Sequence, residues 1–229
     1  MPEPVRAMFE EDIGTLVDML TKSGVCVRSD AAEMLFGLAT AIHDWNQRVN
    51  LISRKDIERL ITYHFCDAAS LLPIARPDAG LRVLDVGGSN GLPGLVLSAI
   101  SPDLRVTVCD SRRKREGFLR DACAVLKGTA AYVIDRVDGD RFRSMYGEGF
   151  DLVVARAVAQ LKLLLRWCLP LVRPGGFLVA YKGSRCADEV RQADGYIWSH
   201  GANLVMILGS PFGANCNPLR RFAVVGKSS

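Results

Sequence analysis

Long apolar runs are missing from this 229-residue chain, and none approaches the roughly 20 residues that a membrane-crossing helix requires. A membrane protein is excluded on that reading, and the acidic N-terminal stretch is unlike a secretory leader. Cysteine pairing is missing too. The seven cysteines, at 26, 66, 109, 123, 168, 186 and 216, form no C-x-x-C pair and no zinc-ligand spacing, and their number is odd. No disulfide framework and no metal site is expected, and the thiols read as small buried hydrophobes in a reducing cytoplasm. Positive charge is only slightly in excess: a net +4 is too modest to announce a nucleic-acid partner by itself. Its distribution says more. Residues 1–80 hold 8 Lys/Arg against 12 Asp/Glu, whereas the remaining 149 hold 21 against 13. A basic main portion carrying an acidic appendage is compatible with phosphate contacts on one side, and equally with a lopsided solvated surface. Repeats and low-complexity tracts are absent, and 49% hydrophobic with 24% charged residues suits one soluble domain with a small extension.

What is present is concentrated in residues 81–110. Val83, Leu84 and Val86 form a short apolar run that suits the middle of a parallel sheet. Gly87, Gly88 and Gly91 follow, where the backbone turns sharply and approaches a ligand without a Cβ in the way. Pro93 suits the first turn of a helix. Val106 to Cys109 make a second apolar run, with Asp110 at its carboxyl end, 25 residues beyond Asp85, where ribose hydroxyls need an acceptor. A dinucleotide loop does not fit. G-x-G-x-x-G from Gly87 demands glycines where Ser89 and Leu92 stand, and from Gly88 where Asn90 and Pro93 stand. A P-loop fails as well, because no Gly-Lys-Ser/Thr follows the turn. The stretch instead resembles the D-x-G-x-G-x-G motif of S-adenosylmethionine-dependent methyltransferases, with Asp85, Gly87 and Gly91 in place and Ser89 at the middle glycine.

Before this stretch the chain reads as helical. Phe9, Ile13, Leu16, Val17 and Leu20 recur at helical spacing over 6–23, and Gly24 ends that helix. Asp30 and Glu33 suggest a capping box ahead of a second helix through Trp45. A third is expected from Asp56 to Leu72, closed by Pro73 and Pro77. After Asp110, Arg112 to Arg115 stand in the expected first turn of a helix, where the macrodipole disfavours cations. An acidic partner would use them there; a solvated charge run is the plainer alternative. Strands are expected at 131–135, 150–155, 177–181, 203–208 and 221–225, and a helix at 161–171 ended by Arg173-Pro174-Gly175-Gly176. This alternation gives a doubly wound, Rossmann-like α/β fold, a seven-stranded and mostly parallel sheet, with residues 1–77 as a helical cap and 78–229 as the main unit.

Several elements together resemble one family, the bacterial RsmG (GidB) guanine-N7 methyltransferases of 16S ribosomal RNA. They are Trp45-Asn46 with Asn50-Leu51-Ile52-Ser53, His64-Phe65-Cys66-Asp67, Asp85-Val86-Gly87 through Gly91-Leu92-Pro93-Gly94, Asp110-Ser111 with Lys114-Arg115, Ala155-Arg156-Ala157-Val158, and Ala180-Tyr181-Lys182-Gly183. Order and spacing agree over about residues 35–185, with departures at Gly88, Ser89, Ala155 and Val158. The resemblance implies S-adenosyl-L-methionine as cofactor and the 530 loop of the small ribosomal subunit as target. It implies that Asp85, Gly87, Gly88, Ser89, Gly91 and Leu92 approach the methionine and ribose part, that Asp110 with Ser111 takes the ribose hydroxyls, and that Val137 and Asp138 flank the adenine. Arg156 would serve both the cofactor and the reaction.

Neutral guanine N7 carries its own lone pair, so methylating it needs no general base. That suits a site whose polar candidates are Arg156 and Lys182. Neither can usefully face a sulfonium, so both are assigned to a phosphate or to guanine O6. A target base must be splayed out, with Phe65, Trp167 and Tyr181 as stacking candidates. His64 and Asp67 are expected to share a local hydrogen bond in the cap. A cysteine nucleophile finds no activating neighbour at a strand end except at Cys109. The expected protein is a cytoplasmic monomer that partners 16S rRNA, with no membrane and no metal. Two other readings stay open: a small-molecule methyltransferase of the same fold, and a degenerate RNA-binding module without turnover.

Overall fold

The computed structural model describes residues 3–75, 80–88, 90–101, 104–213 and 216–228. Helix α1 (Glu3–Lys22) buries Phe9, Ile13, Leu16 and Leu20 on one stripe. Its end follows from Gly24, which takes a left-handed φ of +77°, so that the Val25 N–H closes back on the Leu20 carbonyl at 3.1 Å. Helix α2 (Ala31–Asn46) buries Met34, Leu35, Leu38 and Ile42. The expected capping box is not made: no side chain caps α2, and the Asp30 carboxylate is engaged by Arg28 at 2.5 Å instead. The expected third helix is broken into pieces, a 3-10 turn at Arg54–Asp56, a π-helical turn at Leu60–Phe65, and two short helices, α3 (Cys66–Ala69) and α4 (Leu72–Ala75). Pro73 sits inside α4, in a first turn where its missing N–H costs nothing, rather than ending it. The expected stop at Pro77, like the cap boundary at 77–78, lies outside the described residues.

The sheet holds β1 (Arg82–Val86), β2 (Arg105–Asp110), β3 (Ala130–Ile134), β4 (Phe150–Arg156), β5 (Val172–Lys182), β6 (Ala202–Gly209) and β7 (Arg221–Lys227). Their order is β3-β2-β1-β4-β5-β7-β6. Strands β1 to β5 pair in parallel, while β7 runs antiparallel to both β5 and β6. Strand β5 starts earlier than expected. The Pro174-Gly175-Gly176 stretch lies within it, at a register shift against Phe150 and Leu152, because the chain bulges there without leaving the sheet. The connecting helices are α5 (Gly94–Ile100), α6 (Glu116–Val125), α7 (Asp140–Tyr146), α8 (Leu161–Cys168) and α9 (Cys186–Ser199). Arg113–Arg115 form a 3-10 turn before α6, so the basic run precedes that helix instead of opening it.

Two apolar clusters flank the sheet. One joins the cap (Phe9, Leu38, Ile42, Phe65) to Leu95 of α5 and Phe118 of α6 on one face. The other packs α7, α8 and α9 on the opposite face through Phe142, Leu165 and Ile197. Strand order reverses between β1 and β4, and in such sheets the crevice outside the carboxyl ends of the strands is the ligand site. Among the described residues, no helix is long and apolar enough to cross a membrane, and no group of three or more His, Cys, Asp and Glu could hold a metal.

Candidate active site

A cavity of about 310 Å³ opens at that crevice, within the usual range for small-molecule sites. Its floor is the bend after β1. Gly87 takes a φ of +71°, and a Cβ there would stand 2.7 Å from a Val158 methyl, so only glycine allows the β1 and β4 loops to close on each other. The Gly87 N–H donates to the Cys109 carbonyl at 2.8 Å and ties the tips of β1 and β2 together. One wall carries Asp110 and Ser111 from β2 and Val137 and Asp138 from the turn after β3, and the other carries Arg156, Ala157 and Val158 from β4 with Trp167 of α8.

The expected site residues therefore divide. Gly87, Leu92, Asp110, Ser111, Val137, Asp138 and Arg156 line the cavity. Asp85, Gly88 and Gly91 do not, and Ser89 lies outside the described residues. Asp85 is wholly buried beneath the bend, accepting the Gly94 N–H at 2.8 Å with Oδ2, while Oδ1 has no partner among the described residues. Burial pushes its carboxyl up to about 7, against the opposing pull of that N–H and of Arg156. Gly88 is glycine because a Cβ would strike this carboxylate at 2.6 Å. Asp85 is thus the prop under the loop. Asp110, nearly buried, accepts the Arg112 N–H at 2.7 Å with one oxygen, which aims the carboxylate along the wall. The Asp138 carboxylate is gripped by both donors of Arg136, at 3.0 and 2.8 Å, and the Arg136 hydrogen bond holds its pKa below the usual range.

Arg156 is fixed from the cap. Its Nη1 donates to Asp67 Oδ2 at 2.9 Å and to the His64 carbonyl at 3.4 Å. Asp67 is completely buried and also receives Arg220 through two bonds of 2.7 Å and Asn217 at 3.3 Å. Burial works to raise its pKa, yet the ionic hydrogen bonds from Arg220 and Arg156 outweigh it and hold the carboxylate below its ordinary value. The expected His64–Asp67 bond is accordingly not formed. Asp67 turns to the arginines, and His64, 3.8 Å from the Asp56 carboxylate, is kept neutral by burial and by nearby Arg156. Asp67 lies in α3, just past the π-helical turn at Leu60–Phe65.

Lys182 does not reach the cavity. Its ammonium donates to the Ala159 carbonyl at 2.6 Å and to Glu189 at 2.7 Å, and Glu189 accepts the Leu161 N–H at 2.7 Å. The expectation of a substrate-facing Lys182 is corrected: it holds residues 157–161, the segment behind the cavity wall. Two of the three stacking candidates are spent in packing, since Phe65 is fully buried and the Tyr181 hydroxyl donates to the Ala68 carbonyl at 2.8 Å. Trp167 alone of the three lines the cavity. Burial pushes the Cys109 thiol up to about 12, so it offers no thiolate near neutrality. All seven cysteines are free, and Cys26 is exposed rather than buried as expected. Asn90, Asp135 and the Asp67–Arg220 pair were not legible as site residues; Asp67 was marked only for a local bond with His64, whereas its partners lie 89 and 153 residues away.

The architecture places the chain among doubly wound methyl-transfer folds. It is similar in fold to a TehB-like SAM-dependent methyltransferase from Corynebacterium glutamicum, with a TM-score of 0.54 and 17% identity over 83% of this chain and 99% of that one. It is also similar in fold to the branched-chain polyamine synthase of Thermus thermophilus, with a TM-score of 0.58 and 11% identity over 83% of this chain and 63% of that one. In fold class, then, the molecule shares the doubly wound sheet found in S-adenosylmethionine-dependent methyltransferases. Residues 31–211 match the GidB family model, described as rRNA small subunit methyltransferase G. Relatives named ribosomal RNA small subunit methyltransferase G are 33% identical in Symbiobacterium thermophilum, over 83% of this chain and 80% of that one, and 37% identical in Halalkalibacterium halodurans, over 71% and 68%. The chain belongs to the GidB family.

Proposed function

We propose that this protein methylates N7 of a guanine in the 530 loop of 16S ribosomal RNA, within the small ribosomal subunit. The observation that carries the reading, given the family, is the β4 side of the cavity. Arg156, Ala157, Val158 and Trp167 stand there, a cation, two apolar groups and an aromatic ring, with no proton acceptor among their side chains. An acceptor atom that already owns a lone pair is what such a wall suits. The cavity suits the cofactor, with a Gly87 bend that a side chain would close against Val158 and an aimed carboxylate at Asp110. The donor, when bound, supplies an electrophilic methyl on sulfur.

The chain's own residues supply position. Asp110 accepts from the ribose hydroxyls, Val137 and Asp138 flank the adenine, and the Gly87 bend admits the methionine part. Trp167 offers its face to the extruded base, and Arg156 meets an anionic group or O6 without occupying N7. Bringing the lone pair in line at near-attack distance is the catalytic work. Residues 1–77 form a cap and 78–229 the methyl-transfer unit. The acting unit in this reading is a single chain. The test is methyl transfer to small subunits from cells lacking the modification, with the product nucleoside identified by mass spectrometry. N7-methylguanosine on subunits and none on free nucleosides is expected; transfer to nucleosides alone, or another methylated base, overturns the reading.

A further inference from the structure

The cap carboxylate Asp67 faces one cation more than it can neutralise. Arg156 and Arg220 both reach it, and the three side chains are 9%, 13% and 0% exposed for Arg156, Arg220 and Asp67. Asn217 is neutral, and His64 is held neutral beside them. Asp85, the other buried carboxylate nearby, spends its single hydrogen bond on Gly94. The division of Asp67 is unequal. Arg220 takes both oxygens side-on through Nε and Nη2, each at 2.7 Å, in the fork geometry that suits a guanidinium and a carboxylate. Arg156 is left with one bond from Nη1 to Asp67 and a longer one to a backbone carbonyl. Among the described residues, its Nε and Nη2 donate to no protein group, and Arg156 lines the cavity. Arg220 is itself braced, donating to the Lys182 carbonyl at 3.0 Å and lying 5.5 Å over the Tyr181 ring.

We infer that Arg220 is a positioning residue that occupies Asp67 so that Arg156 keeps its charge and its spare donors for an anion in the cavity. Without Arg220, the side face of Asp67 opens and Arg156 closes onto it as a neutral two-bond pair, which withdraws the cation from the wall. Arg220 stands beyond the span matched by the family model, which ends at residue 211. The anion is a carboxylate or a phosphate, supplied either by the amino-acid end of the methyl donor or by the backbone of the RNA. The inference rests on the methyl-transfer reading of this cavity.

Full-length wild type, Arg156→Gln, Arg220→Gln and the double variant distinguish these cases. Calorimetry with S-adenosylhomocysteine reads the donor's carboxylate, and KM for small subunits at two salt concentrations reads the phosphate. Arg220→Gln is expected to weaken one of the two ligands about tenfold, the loss typical of one charge-assisted hydrogen bond. It should raise KM for that ligand more than it lowers kcat, and the double variant should bind no worse than Arg156→Gln alone. Arg220→Lys, which keeps the charge but cannot grip both oxygens, should fall between. Should Arg220→Gln fail to fold, the cycle of Arg156→Lys and Arg220→Lys is read in the same way. Unchanged affinity for both ligands in Arg220→Gln, effects that multiply with those of Arg156→Gln, or no effect of Arg156→Gln overturns the inference. Wild-type transfer to small subunits would then still stand, and with it the proposed function.

Discussion

Between about pH 4 and pH 7, Asp85 holds a proton that the unfolded chain would have lost. In the folded protein it has no exposure and, among the described residues, one unpartnered oxygen, and burial pushes its carboxyl from the ordinary value up to about 7. The sign follows from counting protons. Below about pH 4 both states are protonated and the contribution is fully present. As the pH rises towards 7 the unfolded chain ionises first, so the contribution is progressively lost, and above that it is gone. Asp85→Asn keeps an acceptor for the Gly94 N–H and removes the titration. Measured by urea unfolding, wild type should lose on the order of 2–3 kcal/mol relative to Asp85→Asn between pH 5 and pH 8. A stability difference independent of pH would contradict the assignment. The sequence marked Asp85 correctly as part of the loop motif, but a motif gives residues in order, not the side of the backbone on which each lies. Gly88 and Gly91 were misplaced for the same reason: one clears Asp85 and the other clears Leu95, so neither faces the cavity.

At the scale of elements, the link between β4 and α8 decides the cavity wall. Ala157 takes a φ of +58°, unusual for a residue with a side chain, and the segment stays in place through Lys182 on β5 and Glu189 on α9. A latch of this kind makes a distinct prediction from a catalytic lysine. Lys182→Ala and Glu189→Ala should each cost about 2–3 kcal/mol of stability and lower kcat/KM about tenfold, with the double variant losing less than the sum. Thermal unfolding and single-turnover transfer check it. Wild-type activity in Glu189→Ala with loss only in Lys182→Ala would restore a catalytic role to the lysine. Strands with continuous apolar runs, such as β1 and β4, were readable because both of their faces are covered. Helices α7 and α9 were not: α7 has only seven residues, and the buried stripe of α9 is thin, with Val190, Ala193 and Ile197 among polar neighbours and Gly195. The third cap helix was legible as helical content but not in its breaks, since the ion pairs that Asp67 makes across the molecule leave no mark on local spacing.

Across the whole molecule, cap and sheet share one apolar cluster, and the buried Asp67 carboxylate is among the polar links between them. Phe9 and Leu38 belong to the same core as Val83 and Phe118, and Asp67 of the cap meets Arg156 of β4 and Arg220 from just before β7. The parallel sheet and its crevice could be read from strand and helix alternation, and the antiparallel β7 departs from it only at the edge beyond β5. Which side chains converge on the crevice could not be read, because contacts made across 89 and 153 residues leave no local periodicity. The crevice between β1, β2 and β4 is therefore the proposed donor site. Calorimetric titration with S-adenosylhomocysteine measures this directly. The wild-type chain should bind one equivalent, and Asp110→Ala should bind it tenfold or more weakly, the order expected for losing hydrogen bonds to a carboxylate. A wild-type chain that binds none, or an Asp110→Ala variant that binds as tightly as wild type, would contradict it.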